Sequence, residues 1–270
     1  MLDLKGLGVN VASRVAGGTV SGRTRRSAEH AFYLAITGAM AAAVLLGFSR
    51  SFFLRFLFPE FAAAHAPTER YFYAVHGPLC TGWFLVLMVQ PYLVATDRVA
   101  IHRRLGWCGA ALAVIVVATG IVGGLIAARR PMGFVDVPVP PLQFLLHVVT
   151  LFALFGIFVS MAVVSRREPQ YHKRWMLLAS LNLVAAGATR WPFEFVAIDL
   201  PVPYYSMTDV ILFFFLAAMV AWDVHSRREV HRATLTGGLA FIAVPPIVGV
   251  LSGTHAWLAI AGIAVGLLGK

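Results

Sequence analysis

Apolar stretches of about twenty residues alternate along this chain with short polar or proline-bearing segments, the signature of successive membrane crossings. The pattern predicts spans near residues 31–50, 71–95, 104–128, 141–165, 173–195, 207–224 and 233–252. Residues 256–269 are fourteen apolar residues, short for a crossing, and read either as an eighth span or as an interfacial piece. The expected fold class is therefore all-α: a polytopic membrane helix bundle of seven transmembrane helices, or eight. Residues 1–28, polar and glycine-rich, read as an amino-terminal tail, and 29–270 as a single transmembrane bundle. The stretches 129–140 and 196–206 carry several prolines and read as loops, and 51–70 as the longest connection.

Two segments repeat one another. His76 and His102 lie 26 residues apart, and His147 and His172 lie 25 apart; each second histidine opens a His-basic-Arg tripeptide. Ala118-Thr119 and Ala188-Thr189 keep the same offset of 70 that separates His102 from His172. The core repeat is thus 71–128 and 141–195, each unit one crossing plus a return helix. An even number of crossings separates the units, so they are parallel, related by an axis along the membrane normal.

Composition changes the picture only by removing alternatives. The chain is 59% hydrophobic and 13% charged, against roughly 25% charged for a typical soluble domain. A formal charge of +10 suggests nucleic acid until its distribution is considered. With the spans above, fifteen of the 22 Lys and Arg fall on the side of the amino terminus, among them Arg98, Arg103, Arg104, Arg166, Arg167, Lys173 and Arg174. The positive-inside rule makes that side cytoplasmic. The basicity is topological, no nucleic-acid partner is implied, and the expected location is a bacterial inner membrane. Arg25-Arg26 before an apolar run resembles a targeting signal, but the further spans that follow favour an uncleaved first helix. Two cysteines, Cys80 and Cys108, support no disulfide framework and read as small packing residues.

The histidines carry the candidate chemistry. An ionisable residue in or beside a spanning helix is a functional-site hypothesis by default. His76 and His147 lie five or six residues below the outer edge of their spans, and His102 and His172 open the third and fifth helices at the inner edge. Facing helices of a bundle converge on a core that can hold a cofactor. His76 is then expected opposite His147 and His102 opposite His172, two axial-ligand pairs for two b-type haems. Arg104 and Arg174 follow the inner histidines by two positions, and Arg190 stands near the depth of the outer pair. All three are candidate partners of haem propionates, because Arg binds carboxylates through paired charge-assisted bonds. Gly120 and Gly124 mark a close helix approach.

The segments YAVHGPLCTGWFLVLMVQPYLV, IHRRLGWCGAALAVIVVATG and YHKRWMLLASLNLVAAGATRWPF resemble a bacterial polytopic membrane-protein family of unknown function, with His, HRxxG and HKRWM motifs. The resemblance covers about residues 70–195 and brings no activity with it. A more distant similarity is to the di-haem transmembrane cytochrome b family of ascorbate-dependent ferric reductases, in which four consecutive helices each give one histidine. That similarity implies the pairings His76–His147 and His102–His172, and departs from this chain in its loops and in the ascorbate site. The expected function is transmembrane electron transfer, possessing oxidoreductase character, with a quinol or small-molecule reductant as donor. Two other classes stay open: a non-redox membrane protein (a small transporter or accessory subunit), and a metal-dependent membrane enzyme using His76, His147, Asp209 and Glu194. Soluble nucleotide-binding and zincin motifs are missing from the sequence.

Overall fold

The computed structural model describes residues 5–60, 72–131, 133, 134, 137, 139–191 and 206–267, the side chains of 5–25 and 72–73 excepted. Among the described residues the chain is helical without strands, and eight α-helices follow in order. These are α1 Lys5–Gly47, α2 Gly77–Ala95, α3 Val99–Ala128, α4 Pro141–Val164, α5 Pro169–Ala188, α6 Met207–Arg227, α7 Arg232–Ser252 and α8 His255–Leu267. Six helical segments are long and apolar enough to cross a bilayer: Arg26–Gly47, Ala74–Ala95, Val99–Ala128, Pro141–Val164, Met207–Arg227 and Arg232–Ser252. The molecule is an all-α polytopic membrane protein.

The outward faces explain why it needs lipid. Leu85, Val114, Phe214, Leu235 and Ile247 are all more than half exposed. In water such a girdle would be a large apolar patch; in hydrocarbon it is matched by its surroundings. A backbone crossing that medium must satisfy its polar groups internally, which restricts it to helix.

The helix α5 is the polar exception and sits in the middle. It packs against α1, α4, α6 and α7. Twelve of its residues are buried, including Arg174, Ser180 and Asn182. Its polar groups face protein partners instead of lipid, and it falls short of the apolarity of the six segments above. Trp83 of α2, 1% exposed, donates its indole N–H to the Ser180 hydroxyl at 3.2 Å and lies edge-on to Phe155 of α4. The helices α2, α4 and α5 thus meet at one aromatic centre. Against α5, α1 makes its closest approach at Gly47 and Gly187: a Cβ on Gly47 would run into the Gly187 backbone, and one on Gly187 would lie 2.9 Å from Val44 Cα.

The turns α2–α3, α4–α5 and α6–α7 collect at one end of the bundle. Arg26 of α1 reaches Asp97 in the first turn at 3.2 Å, and Arg166 in the second lies 5.8 Å from the Trp107 ring of α3. This is the basic end. Asp97 takes φ +58°, a left-handed conformation that aspartate tolerates better than most residues and that lets α2 reverse into α3.

Several sequence expectations are refined. The chain is already helical at Lys5, within the stretch 1–28 assigned to a tail. The segment 256–269 forms α8, thirteen residues or about 20 Å at 1.5 Å per residue, short of a 30 Å hydrocarbon core. It is pinned to α4 by Trp257 Nε1 donating to the Leu142 carbonyl at 2.7 Å. Gly120 and Gly124 do mark a close approach: α4 presses the Phe152 ring onto Gly120, and a Cβ on Gly124 would lie 2.8 Å from Val148 Cγ1. Residues 61–70 of the long 51–70 connection and 196–205 of the 196–206 loop lie outside the described residues.

Candidate functional site

The basic end brings the inner histidines together. His102 stands in the first turn of α3 and His172 in the first turn of α5, and their ring centres are 6.3 Å apart with planes at 81°. His172 Nδ1 donates to the Ala162 carbonyl of α4 at 2.8 Å, so its Nε2 is the nitrogen left to act as acceptor or ligand. His102 Nδ1 is buried and has no hydrogen-bond partner. Gln90 of α2 donates its amide to the His102 carbonyl at 3.2 Å, while its own Oε1 is buried without a partner. Buried polar atoms are paired in the great majority of cases, so two orphans beside two imidazoles mark this spot as chemically unusual.

The outer histidines do not meet. His76 ends a five-residue π-helical turn, Phe72–His76, that leads into α2. Its Nδ1 lies 3.0 Å from Thr119 Oγ1 of α3, and its Nε2 lies 3.3 Å from Cys80 Sγ. Phe152 covers its side edge-on at 5.4 Å. His147 is stacked on Phe144, one helical turn earlier, with ring centres 5.5 Å apart, and its Nδ1 is buried without a partner. The expected opposition of His76 and His147 is therefore not what the side chains adopt. The cause is rotational: α4 turns Val148 and Phe152 towards α3, and His147 lies one residue, or about 100°, away from Val148.

The three arginines diverge as well. Arg104 is exposed at the start of α3. Arg190, also exposed, donates to the Ala186 carbonyl at 2.7 Å and lies 4.6 Å from the Phe48 ring. Glu194, one of the four ligands named for a metal-dependent enzyme, lies outside the described residues. Arg174 is only 2% exposed, and its donors are committed. Nε donates to Asp223 Oδ1 at 2.9 Å, Nη2 binds the same oxygen, and Nη1 donates to the carbonyl and side-chain oxygen of Gln170 at 2.8 and 2.7 Å.

Asp223 is the important residue that the sequence reading missed. Its second oxygen accepts from the His231 backbone N–H at 3.1 Å, and His231 Nδ1 in turn accepts from Ala233 N–H, capping α7. Nearby, Lys173 forms an ion pair with Glu29 of α1 and lies 4.7 Å from the Tyr33 ring. Burial first, then the charges of Arg174 and Arg227, push His231 down to about 4. A carboxylate one turn inside the end of an apolar span was the signal available in sequence, since such a charge needs a buried partner.

Among the described residues there is no group of three or more His, Cys, Asp or Glu able to hold a metal ion. Asp209, one of four ligands considered for a metal enzyme, instead closes a capping box with Ser206 at the start of α6. Comparison with known protein families, with curated proteins and with solved structures yields no match.

Proposed function

We propose that this membrane protein carries electrons, with one b-type haem held between His102 and His172. One observation supports the reading most: two imidazoles from corresponding positions of the repeat lie 6.3 Å apart, centre to centre. Two imidazoles sharing a metal through bonds of about 2 Å each have ring centres about 6 Å apart. The Ala162 carbonyl holding His172 Nδ1 is the outer-sphere partner that a ligating histidine ordinarily has, and it fixes the ring's tautomer. His102 brings a buried nitrogen with no other use. Arg104, two residues after His102, is the inner arginine still available to a propionate.

His102 and His172 would hold a bound haem, which would supply a one-electron iron couple. The residues hold and orient; the donor on this reading is a quinol or small-molecule reductant. The positive-inside rule puts the basic end in the cytoplasm, with α5 as a seventh crossing. The outer pair does not fit a second haem, because His76 is engaged by Thr119 and Cys80 and His147 lies on Phe144.

A non-redox role, as transporter or accessory subunit, is favoured by the buried Arg174–Asp223 pair, since ionisable groups inside a bundle often line a pathway. On that reading His102 and His172 make an ordinary edge-to-face contact, which their separation also suits. The reduced-minus-oxidised spectrum of purified protein, expressed with haem available, separates the two. One haem per chain is expected; a colourless preparation refutes electron transfer by this route.

A further inference from the structure

The far half of α2 holds a second cluster with a different chemistry. His76 Nδ1 is 3.0 Å from Thr119 Oγ1, and the Thr119 hydroxyl donates to the Ile115 carbonyl at 2.7 Å. With that hydroxyl donating to Ile115, Oγ1 is an acceptor for Nδ1–H, the tautomer on which the site is built. Nε2 is then the unprotonated nitrogen, and it faces Cys80 Sγ at 3.3 Å. This is a soft sulfur and a basic nitrogen on one helix, with the imidazole oriented by a partner on another. The π-helical turn ending at His76 is the kind of irregularity that concentrates at functional sites.

We propose that His76 Nε2 and Cys80 Sγ form a two-ligand site for a monovalent thiophilic cation, copper(I) by preference. Thiolate and imidazole are both ligands that suit copper, and thiolate selects its reduced form. Charge decides between oxidation states and metals. One thiolate, one neutral imidazole and one monovalent cation sum to zero, and a neutral complex avoids the cost of leaving net charge within apolar surroundings. Phe152 and Gly120 supply those surroundings. A divalent ion would leave a net positive charge, and zinc would require further ligands that the described residues do not gather here. Binding exchanges the Cys80 thiol proton for the cation, so one proton is released per ion and no electron moves. Thr119 is the positioning residue, holding the ring with Nε2 towards the sulfur. The site is independent of any haem at the basic end.

The test is anaerobic titration of the purified full-length protein with copper(I) in competition with bicinchoninate. One ion per chain is expected, with an ultraviolet thiolate-to-copper band and one sulfur and one nitrogen around copper by X-ray absorption. Cys80→Ser and His76→Gln should remove the band, Cys108→Ser should keep it, and Thr119→Val should weaken binding by about 10–100-fold, as loss of an outer-sphere partner does. Gel filtration establishes that each variant is folded. If the parent takes up no copper, if Cys80→Ser binds as the parent does, or if X-ray absorption shows no nitrogen, the site does not exist.

Discussion

At the scale of single residues, spacing reports depth but not direction. The equal register of the four histidines places them at two levels, yet only the angle around each helix decides which imidazoles meet. His102 and His172 open their helices at the same end and reach each other; His147 is turned about 100° from the α3-facing side of α4. Arg174 was legible as an arginine two residues after a histidine, but its partner stands 49 residues further on and no local pattern announces it. Replacing Asp223 with Ala leaves the Arg174 guanidinium buried and unpaired, and should cost about 3–5 kcal/mol of stability, while the double change Arg174→Met with Asp223→Leu should cost much less. Thermal unfolding in detergent measures both. His231 makes a second prediction. Its folded value, about 4, lies below the ordinary 6.5, so the unfolded chain binds a proton that the folded chain refuses. Stability from this residue is complete above about 6.5 and is lost as pH falls towards about 4. His231→Asn keeps a side-chain oxygen for the Ala233 N–H and removes the titration. Its melting temperature should vary less over that window than the parent's, and an unchanged difference would show that His231 is not the group responsible.

Elements were easier to read than sites. Six of the expected spans reappear as long apolar helices because apolar length is a local property of sequence. The helix α5 was expected from the pattern as the span 173–195, and its buried partners let it carry Arg174, Ser180 and Asn182 at little cost. Glycine again separates composition from geometry: Gly120–Gly124 was legible as a close approach, whereas the contact of Gly47 with Gly187 joins helices far apart in the chain. Gly187→Ala should force α1 and α5 apart and cost about 1–3 kcal/mol by overpacking, against little effect for Gly262→Ala, where a Cβ meets nothing within 4 Å. Comparative melting of the two variants checks the crossing.

For the whole molecule, the two ends have different characters. The basic end ties α1, α5, α6 and the α6–α7 turn through Glu29, Lys173, Arg174, Asp223 and His231, and sets α3 against α5 through two imidazoles. The far half carries a thiol–imidazole pair and His147 stacked on Phe144. An electron carrier built this way depends on His102 and His172 alone for its haem. Haem content per chain, measured for the parent, His102→Ala, His172→Ala, His76→Ala and His147→Ala expressed side by side, tests that dependence directly. About one haem per chain is predicted in the parent and in both outer variants, falling to near zero in both inner variants; haem that survives His172→Ala, or that disappears with His76→Ala, would contradict it.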